Sequence, residues 1–422
     1  MQSLIRRVSF LVLAGATVFA QAAALPEAGP EEVGMSPERL GRIDAAMQKA
    51  VDSGELPGAV VFIARDGQLV YAKTFGWQDR EKKIPMASDS IFRLYSMTKP
   101  VVSVAAMILV EEGKLGLQEP VSKFIPEFKD MKVGVESKDA DGKPVLTLVD
   151  AKRQITVQDL LRHTSGLTYG VLGAQNAVKK TYNDAEIFSQ KWVLADFCRA
   201  LAKLPLQFQP GTTWEYGHST DVLGRVVEVV SGQTLDVFLA ERIFAPLKMA
   251  DTGFQVPPEK QGRLAQPMPD VYTGKMPALI LDFSKPQTFF AGGHGLVSTA
   301  GDYIRFAQML ANGGDLDGVR ILGPRTVEYM TSNHVNPQID KGPTFLPGPG
   351  YGFGLGFATR LERGQSEWPG SPGDFFWGGY AGTYFWVDPE EELAPVLMVQ
   401  EPVRRQYYRT LFRNLVYQAI VK

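Results

Sequence analysis

The sequence has 422 residues, which is enough for one large composite domain or two lobes. Apolar residues make up 45% of it and charged residues 21%, so the composition argues against a disordered chain. The formal net charge of −2 gives no electrostatic reason to expect nucleic acid or an anionic membrane surface as a partner. A small-molecule substrate is favoured, and the oligomeric state is left open.

Residues 1–24 have the pattern of a secretory signal peptide. Arg6 and Arg7 precede the apolar run Val8–Ala20, and small residues offer A-x-A cleavage sites near Ala22–Ala24. The apolar run is short for a bilayer span, and no cysteine follows it for lipid attachment. We therefore expect a periplasmic or secreted protein without stable membrane insertion.

The first elements after this segment are a capped helix and a hairpin. Ser36-Pro37 predicts a helix that runs to about Asp52, because serine caps helices and proline is tolerated in the first turn. Val60–Ala64 and Leu69–Thr74 are rich in β-forming residues, and Asp66-Gly67 between them suits a tight turn. The N-terminal part of the chain therefore contributes strands to a sheet.

The middle of the chain is mostly helical in pattern. Val101–Glu112 has helical periodicity and stops at Gly113, so Ser96 lies at the start of this helix. Residues 155–247 continue the pattern, with capping signals at Thr156 and Gly232. These features predict a helical lobe.

Beyond Gln287 the pattern returns to strands, with a last helix at Arg405–Ile420. The predicted strands there are Tyr351–Thr359, Tyr380–Val387 and Leu393–Gln400, with Asp388-Pro389 turning the last pair. Strands at both ends predict an α/β (α+β) fold in which an antiparallel sheet is flanked by helices and carries an inserted helical lobe. The predicted sheet lobe is 25–95 with 287–422, and the predicted helical lobe is 96–286.

Metal and disulfide chemistry are not favoured. Cys198 is the only cysteine, so it forms no intrachain disulfide, and its helix-like apolar setting predicts a packed thiol. The four histidines lack the spacing of metal ligands, and no acidic cluster accompanies them. We expect no metal and no cofactor.

The only S-x-x-K in the chain is Ser96-Met97-Thr98-Lys99. Three residues are nearly one helical turn, so the serine hydroxyl and the lysine amine project from one face and can share a proton. A serine alcohol is a weak nucleophile at neutral pH, and an amine with a lowered pKa can accept its proton. The helix N-terminus adds free N–H groups where an oxyanion forms.

Four segments in the same order resemble the serine β-lactamase-like superfamily, which comprises class C β-lactamases, DD-peptidases and family VIII carboxylesterases. The segments are Phe92–Pro100, Asp159–Leu167, Pro210–Ser219 and Gly292–Thr299. The resemblance implies a β-lactamase/transpeptidase-like fold and a serine hydrolase that forms an acyl-enzyme on Ser96.

The resemblance also places Tyr216 at the tyrosine of the family's Y-x-N motif. A phenol there can take the serine proton and later return one to the leaving group, and whether Tyr216 or Lys99 is the base is left open. His218 stands where the family has asparagine. It is a candidate for contact with Lys99 or with the substrate.

No K-T-G occurs, and Trp377-Gly378-Gly379-Tyr380 takes its place, as in the W-x-G of family VIII esterases. The resemblance implies that Trp377, Gly378 and Gly379 bind substrate and that the N–H groups of Ser96 and Tyr380 form the oxyanion hole. Tryptophan offers an apolar face where K-T-G offers a cation. Small uncharged carboxylic esters are therefore the expected substrates.

Other functions stay open beside the esterase. The same acyl-enzyme serves a β-lactamase, a D-alanyl-D-alanine carboxypeptidase, an amide hydrolase or an acyltransferase. A non-enzyme alternative is a penicillin-sensing or scaffold module, against which Ser96, Lys99 and Tyr216 together argue. An α/β-hydrolase is disfavoured because the chain has no G-x-S-x-G.

Overall fold

The computed structural model describes residues 24–142, 144–189, 191–278 and 282–422. Apart from Ala24, the predicted signal peptide lies outside the described residues, so export and the cleavage site stay predictions. In the described part of the chain, no helix combines the length and the apolar character that a bilayer span needs.

Ten α-helices occur in the described residues. They are α1 (Pro37–Asp52), α2 (Thr98–Glu111), α3 (Val157–Leu161), α4 (Ala177–Asp184), α5 (Leu194–Leu201), α6 (Ser219–Ser231), α7 (Leu235–Leu239), α8 (Ala300–Ala311), α9 (Pro324–Thr331) and α10 (Arg405–Tyr417). Short 3₁₀-helices lie at Pro30–Val33, Tyr95–Met97, Val121–Lys123, Pro126–Phe128 and Pro258–Arg263, and a π-helix at Ala240–Phe244.

The strands of the described residues are β1 (Gly58–Arg65), β2 (Gln68–Asp79), β3 (Ile84–Pro85), β4 (Phe92–Arg93), β5 (Lys132–Lys138), β6 (Pro144–Asp150), β7 (Val297–Ser298), β8 (Asp315–Leu316), β9 (Val319–Arg320), β10 (Tyr351–Phe353), β11 (Ala358–Arg360), β12 (Phe375–Gly378), β13 (Tyr384–Val387) and β14 (Leu393–Val399). Eight of them form one antiparallel sheet in the order β10-β11-β12-β13-β14-β1-β2-β3. The prediction of a sheet built from both ends of the chain is confirmed.

Helices cover both faces of this sheet. On β13, Phe385 contacts Tyr303 of α8 with ring centroids 5.0 Å apart, and its neighbour Trp386 contacts Phe412 of α10 at 5.3 Å. Adjacent residues of a strand point to opposite faces. The helices α8 and α10 therefore lie on opposite sides, which explains why β14 is buried along its whole length.

Local signals placed the N-terminal elements correctly. The Ser36 side chain accepts from the N–H of Arg39 and caps α1. Asp66 and Gly67 have φ values of 52° and 72°, the left-handed conformation that a two-residue hairpin turn requires. At Thr156 the capping box with Asp159 is present.

Two strand predictions need correction, and one hairpin was missed. The predicted strand Tyr351–Thr359 is two strands, because the chain reverses at Gly356 with φ of 101°. The strand predicted from Tyr380 begins at Tyr384, since a turn precedes it. The hairpin of β5 and β6 was not predicted, and most of its residues are exposed in the structure. The lobe boundaries stay a prediction.

Candidate active site

Ser96 lies at the junction of the sheet and α2. It is in the 3₁₀ turn Tyr95–Met97 that leads into α2, and Tyr95 has φ of 46°, which costs a non-glycine residue roughly 1–2 kcal/mol. The turn is held because the Tyr303 hydroxyl donates to the Met97 carbonyl at 2.9 Å. Ser96 is half-buried and lines a cavity of about 370 Å³.

Lys99 is 1% exposed and lies one turn after Ser96. Its Nζ is 3.2 Å from Ser96 Oγ, 2.9 Å from the Tyr169 hydroxyl and 2.8 Å from the Gly293 carbonyl. Burial lowers the pKa of Lys99 to about 7, although the charge of Asp221 raises it. At neutral pH a large fraction of this amine is therefore unprotonated and able to accept a proton.

Tyr216 comes from the middle of the chain and meets Ser96 and Lys99. Lys99 Nζ lies 4.5 Å from the centroid of its ring, and Trp377 Nε1 donates to its hydroxyl at 3.3 Å. Burial raises the pKa of Tyr216 well above its usual range, while hydrogen bonds with Ser96 and Trp377 lower it. His163 packs on the ring at 4.9 Å. Tyr216 is thus held as a neutral phenol beside the serine.

The segment that follows β12 forms one wall of the cavity. Trp377, Gly378, Gly379 and Tyr380 all line it. A Cβ on Gly379 would lie 2.1 Å from the Leu94 carbonyl oxygen, so only glycine lets this wall approach the start of α2 so closely. The structure therefore brings all four predicted residues to the cavity that holds Ser96.

Tyr380 is 39% exposed, and its ring meets the Tyr95 ring edge to face at 5.6 Å. Its N–H makes no hydrogen bond to any of the described residues. A free N–H beside the start of α2 is compatible with the predicted oxyanion hole, and that role stays a prediction.

His218 lies away from the cavity, contrary to the prediction that it binds substrate. It is 1% exposed and does not line the cavity. Its Nδ1 is 2.9 Å from Asp221 Oδ2, and its ring packs against Tyr169 at 4.6 Å and Phe188 at 5.0 Å. The sequence motif could not show this, because Tyr169 takes the place next to Lys99 that we assigned to position 218.

Sequence reasoning missed two residues of the site, Tyr169 and Asp221. Tyr169 is the second side chain that binds Lys99, and it lies two residues beyond the segment Asp159–Leu167 that carried the resemblance. Asp221 is fully buried and accepts the Gly293 N–H at 2.7 Å. His294 lines the cavity, with Nδ1 3.8 Å from Asp221 Oδ1.

The negative charge of Asp221 interacts with Lys99 and His294 and affects the pKa values of both. Burial raises its pKa, but the hydrogen bond with His218 and the charges of His294 and Lys99 outweigh burial and bring the pKa to about 2. Burial lowers the pKa of His294 to about 4. The sequence spacing could have indicated the contact between Asp221 and His218, because Asp221 follows His218 by three residues on the first turn of α6.

No group of three or more histidine, cysteine, aspartate or glutamate side chains suited to a metal ion occurs among the residues that the structure describes. Cys198 is buried in α5, and burial raises the pKa of its thiol. The polar groups that the fold brings together at the cavity are the Ser96 hydroxyl, the Lys99 amine and the Tyr216 phenol. Together with the helix-covered antiparallel sheet, this arrangement defines a serine hydrolase.

Comparisons with known proteins support the same class of enzyme. A model of the beta-lactamase family matches residues 43–419. Esterase EstB of Burkholderia gladioli is 31% identical over 375 residues, which cover 85% of this chain and 89% of EstB. Monacolin J acid methylbutanoyltransferase of Aspergillus terreus is 29% identical over 410 residues, 89% of this chain and 95% of that protein.

Among solved structures, EstCE1 is described as a hydrolase with promiscuous acyltransferase activity. It is 30% identical, has a TM-score of 0.74, and the match covers 90% of this chain and 99% of EstCE1. The chain belongs to the beta-lactamase family. The predicted fold and enzyme class are confirmed, whereas the role of each site residue stays a proposal.

Proposed function

We propose that the protein is a carboxylesterase that forms an acyl-enzyme on Ser96, with Lys99 as the base. The observation that carries the proposal is the 3.2 Å contact between Ser96 Oγ and Lys99 Nζ, at a cavity-lining serine and a lysine with a pKa of about 7. The similarity to Esterase EstB and to EstCE1 supports the choice of esters.

The hydrogen bonds of Lys99 favour it over Tyr216 as the base. A neutral amine has two hydrogens and one lone pair. The Gly293 carbonyl oxygen accepts one of these hydrogens, and the Tyr169 hydroxyl oxygen accepts the second. The lone pair then faces Ser96 Oγ. Tyr216 is less suited to start the reaction as the base, because its raised pKa leaves almost no phenolate at neutral pH.

Acylation follows from these positions. Lys99 takes the Ser96 proton as Oγ attacks the ester carbonyl, and the N–H groups of Ser96 and Tyr380 stabilise the oxyanion. Trp377 donates to the Tyr216 oxygen, which leaves the phenol's own proton for the departing alkoxide. Lys99 then reprotonates Tyr216. Water reverses the sequence and releases the acid.

Acyl transfer is a second candidate, because an alcohol that enters the cavity takes the place of water. The described activity of EstCE1 and the similarity to an acyltransferase favour it.

We also propose export from the cytoplasm, on the pattern of residues 1–24. N-terminal sequencing of the protein recovered outside the cytoplasm checks export: a start near Ala22–Ala24 supports it, and an intact Met1 contradicts it.

Initial rates with 4-nitrophenyl butyrate, a chromogenic cephalosporin and a D-alanyl-D-alanine peptide test the reaction class. We expect the ester to be turned over fastest and the Ser96→Ala protein to be inactive. Faster turnover of the cephalosporin or the peptide contradicts the esterase, and a wild-type protein inactive on all three contradicts the hydrolase. Adding 1-butanol to the ester assay tests acyl transfer through the yield of butyl butyrate.

A further inference from the structure

Three arginines follow one another along α10 at intervals of four residues: Arg405, Arg409 and Arg413. Residues four apart lie on the same face of a helix, so the three guanidinium groups form a row. Arg405 and Arg409 line the active-site cavity. Arg413 is fully buried and donates to the hydroxyl of Tyr384, which also lines the cavity, at 3.0 Å.

The positive charge of this row is not balanced. Arg413 shares the buried carboxylate of Asp374 with Arg360, each at 2.5 Å, so two arginines meet one acid. Arg405 and Arg409 have no carboxylate within 4.0 Å among the described residues, and no described lining residue of the cavity is acidic. One side of an otherwise aromatic and apolar cavity is therefore cationic.

Both cavity arginines are held in place and keep free donors. Arg409 Nη2 donates to the carbonyls of Gly379 and Thr383, and its Nε is buried without a hydrogen-bond partner among the described residues. The Arg405 guanidinium lies 5.3 Å from the Tyr380 ring centroid, and within the described part of the chain only its Nη1 forms a hydrogen bond, with the Pro402 carbonyl.

The two guanidinium groups also repel each other. Burial, followed by the charge of Arg405, lowers the pKa of Arg409 to about 10. A buried cation without a counter-ion is costly, and an anion between two cations relieves the cost. By contrast Arg404, the residue that caps α10, has Asp270 and Glu401 as partners, each at 3.5 Å.

We propose that Arg405 and Arg409 form an anion subsite that binds a carboxylate carried by the substrate ester. The inference rests on the proposed function, since it names the class of ester that the site takes: an apolar ester with one carboxylate. The planar fork of arginine suits a carboxylate, which two arginines hold better than one.

The subsite revises the expectation of uncharged substrates. That expectation followed from the replacement of K-T-G by Trp377-Gly378-Gly379, which removes a cation from the strand. Arg405 and Arg409 of α10 supply two cations to the same cavity, beside Gly379 and Tyr380. The side of the ester that carries the carboxylate, acyl or alcohol, is settled by the substrates in the test.

Two matched pairs of esters test the subsite. For the alcohol side, 4-(butyryloxy)benzoate is compared with its methyl ester; for the acyl side, mono-4-nitrophenyl glutarate is compared with 4-nitrophenyl butyrate. The readout is the ratio of kcat/KM between charged and neutral ester. In Arg405→Gln and Arg409→Lys we expect this ratio to fall on the order of tenfold in at least one pair, the size of a lost charged hydrogen bond.

Arg325→Gln is the matched control, because the Arg325 side chain is 90% exposed and pairs with Glu328 on the surface. It should leave both ratios unchanged. If Arg409 only anchored the carbonyls of Gly379 and Thr383, its substitution would lower kcat/KM equally for charged and neutral esters. Equal losses in both pairs overturn the subsite.

Binding without chemistry separates this proposal from the proposed function. The Ser96→Ala protein is titrated calorimetrically with 4-butyramidobenzoate and with its methyl ester. We expect the carboxylate to bind on the order of tenfold more tightly, with a preference that weakens as salt is added and disappears in Ser96→Ala/Arg405→Gln. Equal binding overturns the subsite even if both esters are hydrolysed, and inactive wild type with selective binding overturns only the esterase.

Discussion

Replacing Asp221 by asparagine tests whether Lys99 is the base, because it changes the pKa of the amine without touching Ser96. Gly293 links the two groups: its N–H donates to Asp221 at 2.7 Å and its carbonyl accepts from Lys99 at 2.8 Å. Asparagine can keep the hydrogen bonds with Gly293 and His218 while it removes the charge.

The magnitude follows from this geometry. One residue and two hydrogen bonds separate the charges by on the order of 7 Å, so their attraction is about 2 kcal/mol at an effective dielectric constant of about 20. That energy corresponds to a shift of roughly one to two pH units. The charge of Asp221 raises the pKa of Lys99, so its loss lowers the pKa further below about 7.

The assay is the pH dependence of kcat/KM for a neutral ester. The base acts unprotonated, so wild-type activity should fall about tenfold per pH unit below the Lys99 pKa of about 7. In Asp221→Asn this acid limb should move to lower pH. A control is His334→Gln, because His334 lies outside the cavity and is bound to the Tyr329 carbonyl. An acid limb that stays in place in Asp221→Asn, or that moves in His334→Gln, refutes the assignment.

Three further predictions concern single residues. Tyr216→Phe should lower kcat by about 10²–10⁴-fold, because the leaving group loses its acid, and wild-type turnover would exclude that role. Gly379→Ala should reduce activity and the melting temperature together, because its Cβ meets the Leu94 carbonyl at 2.1 Å; an unchanged thermal scan argues against the close approach. Thr156→Ala should cost about 1 kcal/mol of unfolding free energy in urea, with kcat retained, because its side chain caps α3.

Signals that act within a few residues could be found in the sequence. The turn at Asp66-Gly67, the cap at Ser36 and the position of Ser96 at the start of α2 depend on neighbouring residues alone. The pairing of both chain ends in one sheet was predictable from the distribution of strands. These are the features that backbone conformation and periodicity determine.

Contacts between distant segments could not be found in this way. Tyr169, and not His218, contacts Lys99, because the ring of Tyr169 packs against both residues. The side chain of Trp377 contributes its N–H to Tyr216, a contact across 161 residues. Packing also brings Arg405 and Arg409 of α10 into the cavity, and neither residue belongs to the segments that carried the resemblance.

The central claim is a covalent acyl group on Ser96 whose formation needs an unprotonated Lys99. Rapid acid quench of the protein with 4-nitrophenyl butyrate, followed by intact and peptide mass spectrometry, measures it directly. We expect one butyryl group on the peptide that contains Ser96, at pH 8 but not in the Lys99→Ala protein. A butyryl group on another residue, or undiminished labelling of Ser96 in Lys99→Ala, contradicts the account.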